Sequence, residues 1–175
     1  RQPDGKFVAV GKSYRSGTSY DFTVMRWNAD GTIDASFGNG GYATVDFFGG
    51  VDEALTVALQ PDGKILVAGT AYNSMNTSSD MGLARFNADG SLDTSFATYG
   101  APGIAALDFT GGSDQALGMA LLPDGKIVLA GHATIYGRPF DFGLARYNAD
   151  GSLDTTFGLF GRVATDIGGG KDIGT

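Results

Sequence analysis

The stretch Gln60-Pro61-Asp62-Gly63-Lys64-Ile65-Leu66-Val67-Ala68-Gly69 decides the fold. Its first half is a turn: proline presets φ at one corner, aspartate tolerates the next, and glycine supplies the left-handed residue of a bulged hairpin. Its second half is a short apolar run without alternation, which predicts a strand covered on both faces. Pro-Asp-Gly-Lys recurs at Pro3–Lys6 and Pro123–Lys126, followed by the runs Phe7–Gly11 and Ile127–Gly131. Outward from it, Asn-Ala-Asp-Gly stands at Asn28–Gly31, Asn87–Gly90 and Asn148–Gly151. A third marker, aspartate before paired glycines, occupies Asp46–Gly50, Asp108–Gly112 and Asp166–Gly170. All three keep one order, so the chain is a tandem array with a period of about 60 residues.

Each unit reads as four short strands. The first is Ala54–Leu59 and Ala116–Leu121, and the second is the apolar run after each Pro-Asp-Gly-Lys turn. The third is Phe22–Trp27, Met81–Phe86 and Phe142–Tyr147. A fourth, more polar strand is expected around Tyr42–Asp46, Ala105–Asp108 and Arg162–Asp166. No helical period is present. Small residues crowd the first strand at Ala54, Ala58, Ala116, Gly118 and Ala120, as they must where inner strands converge on an axis. The expected fold class is therefore all-β: three four-stranded antiparallel β-propeller blades. Residues 1–175 form one repeat domain, with repeats at about 1–50, 51–112 and 113–170, and 171–175 opening a further inner strand. The first copy starts at its turn, without an inner strand of its own. Rings close with 4 to 8 blades, so three imply an incomplete ring. Completion is expected from a second copy, two chains giving six blades, or from a longer array.

The string Gly82-Leu83-Ala84-Arg85-Phe86-Asn87-Ala88-Asp89-Gly90-Ser91-Leu92-Asp93-Thr94-Ser95-Phe96, following the turn and run above, resembles the bacterial delta-60 repeat. The resemblance covers essentially the whole chain. It implies a propeller-like β-repeat of large secreted or surface-associated bacterial proteins, with no enzymatic activity and no established set of binding residues.

Composition narrows the chemistry. The 175 residues carry a net charge of −7, no cysteine, one histidine and 29 glycines. The acidic balance argues against nucleic acid, and no apolar run is long enough for a membrane helix. Thiolate sites and two-histidine mechanisms are excluded. The paired glycines lack the Gly-Lys-Ser/Thr of a phosphate loop. His132 has no Gly-x-Ser-x-Gly elbow to serve.

Recurrence sorts the remaining candidates, because a residue present in every copy serves the unit's own geometry. Asp21, Asp80 and Asp141 recur, as do Arg26, Arg85 and Arg146, which predicts arginine–carboxylate pairing across blades or turns. Asn28, Asp30 and Asp34, repeated as Asn87, Asp89, Asp93 and Asn148, Asp150, Asp154, offer oxygens of the kind calcium takes. Asx-type turn capping explains them with no metal, so no cofactor is expected and calcium is the metal alternative. The segments at 12–20, 71–79 and 132–139 do not repeat. They are read as rim loops, with Tyr14, Arg15, Tyr20, Tyr72, Asn73, Asn76, His132, Tyr136 and Arg138 as candidate contacts for a glycan or protein. The function expected is a non-enzymatic binding or scaffolding module of an exported protein. The rivals are a hydrolase or lyase with a carboxylate site in the central mouth, and purely architectural repeats.

Overall fold

The computed structural model describes residues 1–73, 78–97, 101–135 and 140–172. Among these residues, eleven strands follow in chain order. The first sheet holds β1 (Phe7–Arg15), β2 (Ser19–Trp27) and β3 (Tyr42–Val45). The second holds β4 (Glu53–Leu59), β5 (Ile65–Asn73), β6 (Ser78–Phe86) and β7 (Ile104–Leu107) in sequential order. The third repeats it with β8 (Gln115–Leu121), β9 (Ile127–Thr134), β10 (Phe140–Tyr147) and β11 (Arg162–Thr165). All pairings are antiparallel. These are propeller blades in an open ring, the first of them three-stranded.

The Pro-Asp-Gly-Lys turns form as their chemistry dictates. Gln60 N–H donates to Lys64 O at 2.9 Å, Gly63 N–H donates to Gln60 O at 3.0 Å, and Gly63 takes φ +86°. The apolar runs alternate faces after all, and each face meets a different blade. Ile65 and Val67 join Phe22, Val24 and Phe37 in the seam between the first and second blades. Leu66 and Ala68 join Phe96, Ile127 and Leu129 in the seam with the third. A strand sandwiched between two sheets needs apolar side chains on both sides, hence the unalternating sequence.

Inner strands approach β5 and β9 so closely that glycine is obligatory there. A Cβ on Gly69 would lie 2.0 Å from Glu53 O, and one on Gly131 would lie 1.9 Å from Gln115 O. Both sites face bulges, between Ala54 and Thr56 and between Ala116 and Gly118, which tighten the local twist.

One expectation needs correcting. The described parts of the non-repeating segments are mostly strand: in the first copy β1 runs to Arg15 and β2 starts at Ser19, which leaves only residues 16–18 as the turn. At the tip of the first hairpin Tyr14, Arg15 and Tyr20 are exposed, and polar or aromatic residues there show no apolar alternation to be read. Asn76, Tyr136, Arg138 and residues 173–175 lie outside the described residues. The arginines pair with carboxylates across turns, as expected, and the partners are taken up next.

Candidate functional site

Arg26 does not pair with Asp21. Its Nε donates to Asp34 Oδ2 at 2.7 Å, and Lys6 Nζ from the Pro-Asp-Gly-Lys turn donates to the same oxygen at 2.7 Å. Ser36 N and Oγ donate to Asp34 Oδ1 at 3.2 and 2.6 Å. Four donors thus saturate one carboxylate, and the guanidinium stacks 4.4 Å above the Phe37 ring. The same hub recurs with Lys64, Arg85, Asp93, Ser95 and Phe96, and with Lys126, Arg146, Asp154, Thr156 and Phe157. The Lys6 and Lys126 ammonium groups, aided by Ser36 and Thr156, hold Asp34 and Asp154 well below the usual carboxylate range. Burial pushes Asp93 upward, but Lys64, Ser95 and Arg85 together outweigh it and leave that carboxyl low as well.

The first two hubs also grip the following blade. Arg26 Nη1 donates to Ala88 O at 2.6 Å, and Gly38 N–H donates to Asp89 O at 2.7 Å. Arg85 Nη1 donates to Ala149 O at 2.8 Å, and Ala97 N–H donates to Asp150 O at 2.8 Å. Gly90 and Gly151 seat the gripped turns, since a Cβ on them would meet Gly38 N at 2.6 Å and Phe96 at 2.7 Å. So the Asn-Ala-Asp-Gly turn of one blade is the plug, and the preceding Arg–Asp–Phe hub is the socket. The candidate calcium residues serve this device. Asp30 Oδ1 accepts from Thr32 N and Oγ1, and the Asp34 oxygens are filled by their four protons.

The family described as "domain of unknown function (DUF5122) beta-propeller" matches residues 2–37, 60–96 and 122–157. The chain belongs to the DUF5122 β-propeller family. Each matched segment runs from the Pro-Asp-Gly-Lys turn to the socket phenylalanine, Phe37, Phe96 or Phe157, so the DUF5122 unit contains one whole hub. Among curated proteins, no match is found.

A second set of acids lies partly outside the DUF5122 segments. Asp21, Asp46 and Asp52 each bring a carboxylate oxygen within 4.8 Å of the others, as do Asp80, Asp108 and Asp114, and Asp141, Asp166 and Asp172. Asp52 and Asp114 are fully buried and each accepts two backbone amides, from Phe47 and Tyr72 and from Phe109 and Thr134. These bonds tie the inter-blade loop to the neighbouring hairpin. Recurrence marked Asp21, Asp80 and Asp141 as scaffold, but their partners were missed. The signal was available in the common spacing of Asp46 to Asp52, Asp108 to Asp114 and Asp166 to Asp172.

Burial raises Asp52 and Asp80 to about 6 and Asp114 to about 7. Neighbouring carboxylates add to the rise, Asp46 and Asp21 for Asp52, Asp108 for Asp80, and Asp108 and Asp80 for Asp114. A carboxyl raised on folding takes up protons in the folded state, so its stabilisation is present below the ordinary value and lost as pH climbs through the raised one. The hub aspartates have the opposite sign and lose their contribution below the ordinary value. Denaturant midpoints in metal-free buffer are therefore expected to peak near pH 4–5 and to fall between about pH 5 and 7.5. A midpoint that rises steadily to pH 7.5 contradicts this ordering.

The described rim candidates fall on equivalent hairpins of the DUF5122 blades. Tyr14 and Tyr20 pair edge to face at 5.5 Å, and Tyr14 is 68% exposed. Lys12 Nζ lies 5.7 Å from the Tyr20 ring centre and bridges to Glu53 Oε2 at 2.9 Å. Arg15 reaches Thr44 Oγ1 and lies 3.9 Å from Asp21. Ser13, Tyr14, Arg15, Thr23, Met25 and Tyr42 border an open groove of about 580 Å³. Tyr72 and Asn73 end β5, half-buried, and the Tyr72 amide is used by Asp52. His132 stacks on Phe140 at 4.3 Å, with Nδ1 buried and without a partner; burial, then Lys171, lowers its pKa. The structure thus gathers Tyr14, Arg15 and Tyr20 at one place and sets Tyr72, Asn73 and His132 on other blades.

Proposed function

We propose that the chain is a non-enzymatic binding and scaffolding propeller module that recognises glycan on the first hairpin. The observation carrying this reading is the exposed Tyr14–Tyr20 pair beside a groove edged by Ser13, Arg15 and Thr23. Exposed aromatic faces take the apolar face of a sugar, and adjacent hydroxyl and guanidinium groups take its hydroxyls. A surface location is the setting that the delta-60 resemblance implies. On a glycan array, Tyr14→Ala is expected to lower binding about tenfold or more with an unchanged melting temperature. Array silence with saturable capture of a purified protein partner would replace the glycan reading, and turnover of any arrayed glycan would replace the module with an enzyme.

The scaffolding part rests on the plug and socket. In the third blade the socket stands open: the Arg146 side chain is 24% exposed, against 8% and 9% for Arg26 and Arg85, and Leu159 and Phe160 are exposed beside it. The first blade carries the matching free plug, with space around Gly31 where Gly90 and Gly151 are packed. A second copy would supply the missing plug and socket, two such joints closing a six-bladed ring, as would further repeats of a longer array.

A further inference from the structure

The aspartate clusters do something the glycan reading does not use. We propose that the Asp80–Asp108–Asp114 pocket holds a calcium-type divalent cation, with Asp21–Asp46–Asp52 and Asp141–Asp166–Asp172 as its repeats. Three carboxylate oxygens within 4.8 Å of one another suit a single ion. Calcium takes six to eight oxygens at about 2.3–2.6 Å in flexible geometry, whereas magnesium demands a near-ideal octahedron and keeps several waters. The ligands are hard oxygens without nitrogen or sulfur, which selects against zinc and copper.

The independent observation is an orphaned oxygen. Asp80 is 95% buried, contributes to the cluster, and its Oδ1 is buried with no hydrogen-bond partner; Asp21 Oδ1 is in the same condition. A carboxylate stripped of water and left without a donor is strongly disfavoured, and in a cluster of like charge the group that satisfies it is a cation. The remaining geometry is already organised. Asp114 is clamped by the Phe109 and Thr134 amides, Asp108 is capped by Gly111 N–H at 2.5 Å, and Asp114 N–H donates to Ser79 O at 2.6 Å beside Asp80. A cation here would staple the loop leaving β7 to the β6 strand end, reinforcing the place where one blade hands the chain to the next.

The test is calorimetric titration of the chelator-treated chain with calcium chloride at pH 7.5, paired with thermal melts. Calcium at a hundredfold excess over Kd is expected to raise the melting temperature by about 5–10 °C. Asp80→Asn keeps the shape and adds donors for the neighbouring carboxylates. It should remove one equivalent of binding while leaving the metal-free melting temperature unchanged or higher. No heat and no melting shift at millimolar calcium would overturn the proposal. So would full stoichiometry in Asp80→Asn, or an equal response to magnesium.

Discussion

Asp93→Ala is expected to lower stability by about 3–5 kcal/mol, a fall in melting temperature on the order of 10 °C. The carboxylate is 95% buried and is the common acceptor for Lys64, Arg85 and Ser95. Removing it leaves the Arg85 guanidinium, itself buried, without an anion. It also frees the arginine that holds Ala149 O at 2.8 Å, so the seam to the third blade loosens with the hub. The cost comes from stranding positive charge, not from losing a net-favourable ion pair. That distinction is measurable: replacing Lys64, Arg85 and Asp93 together by apolar residues of similar size should cost less than Asp93→Ala alone. Chemical denaturation of the single and triple variants reads both values, and a triple variant worse than the single one would show that the hub stabilises through its charges.

What could be read in advance depended on how local the physics was. The Pro-Asp-Gly-Lys hairpin is settled within five residues, and the strands Ile65–Asn73 and Ile127–Thr134 begin where the sequence reading starts them. Their far ends run longer, since a ribbon tip such as Tyr14–Arg15 against Ser19–Tyr20 buries no apolar side chain that would impose a pattern. The hub was hidden for a different reason. Lys64 and Arg85 reach one carboxylate from a turn and from the end of β6, and only the register of the hairpins brings them together. Repetition told us that Arg85 and Asp93 belong to the scaffold, but not that they belong to each other. The aspartate clusters were harder still, for Asp80 and Asp114 meet only once the chain has crossed between blades. The Asx-type capping expected of Asp89 and Asp93 is what forms, with Ser91 and Ser95 donating to their Oδ1 atoms and Lys64 and Arg85 filling the other Asp93 oxygen.

The plug-and-socket joint is the element on which the whole assembly rests, and sedimentation velocity at micromolar concentration tests it most directly. The chain should sediment as a particle of twice its mass, and Gly31→Asn should reduce it to a folded single chain. Asparagine tolerates the φ of +84° at Gly31, so the turn itself survives. Its side chain, however, occupies the space that at Gly90 and Gly151 is closed by the neighbouring socket. A folded single chain for both proteins across that range would contradict the joint between copies, as would a Gly31→Asn variant that still pairs.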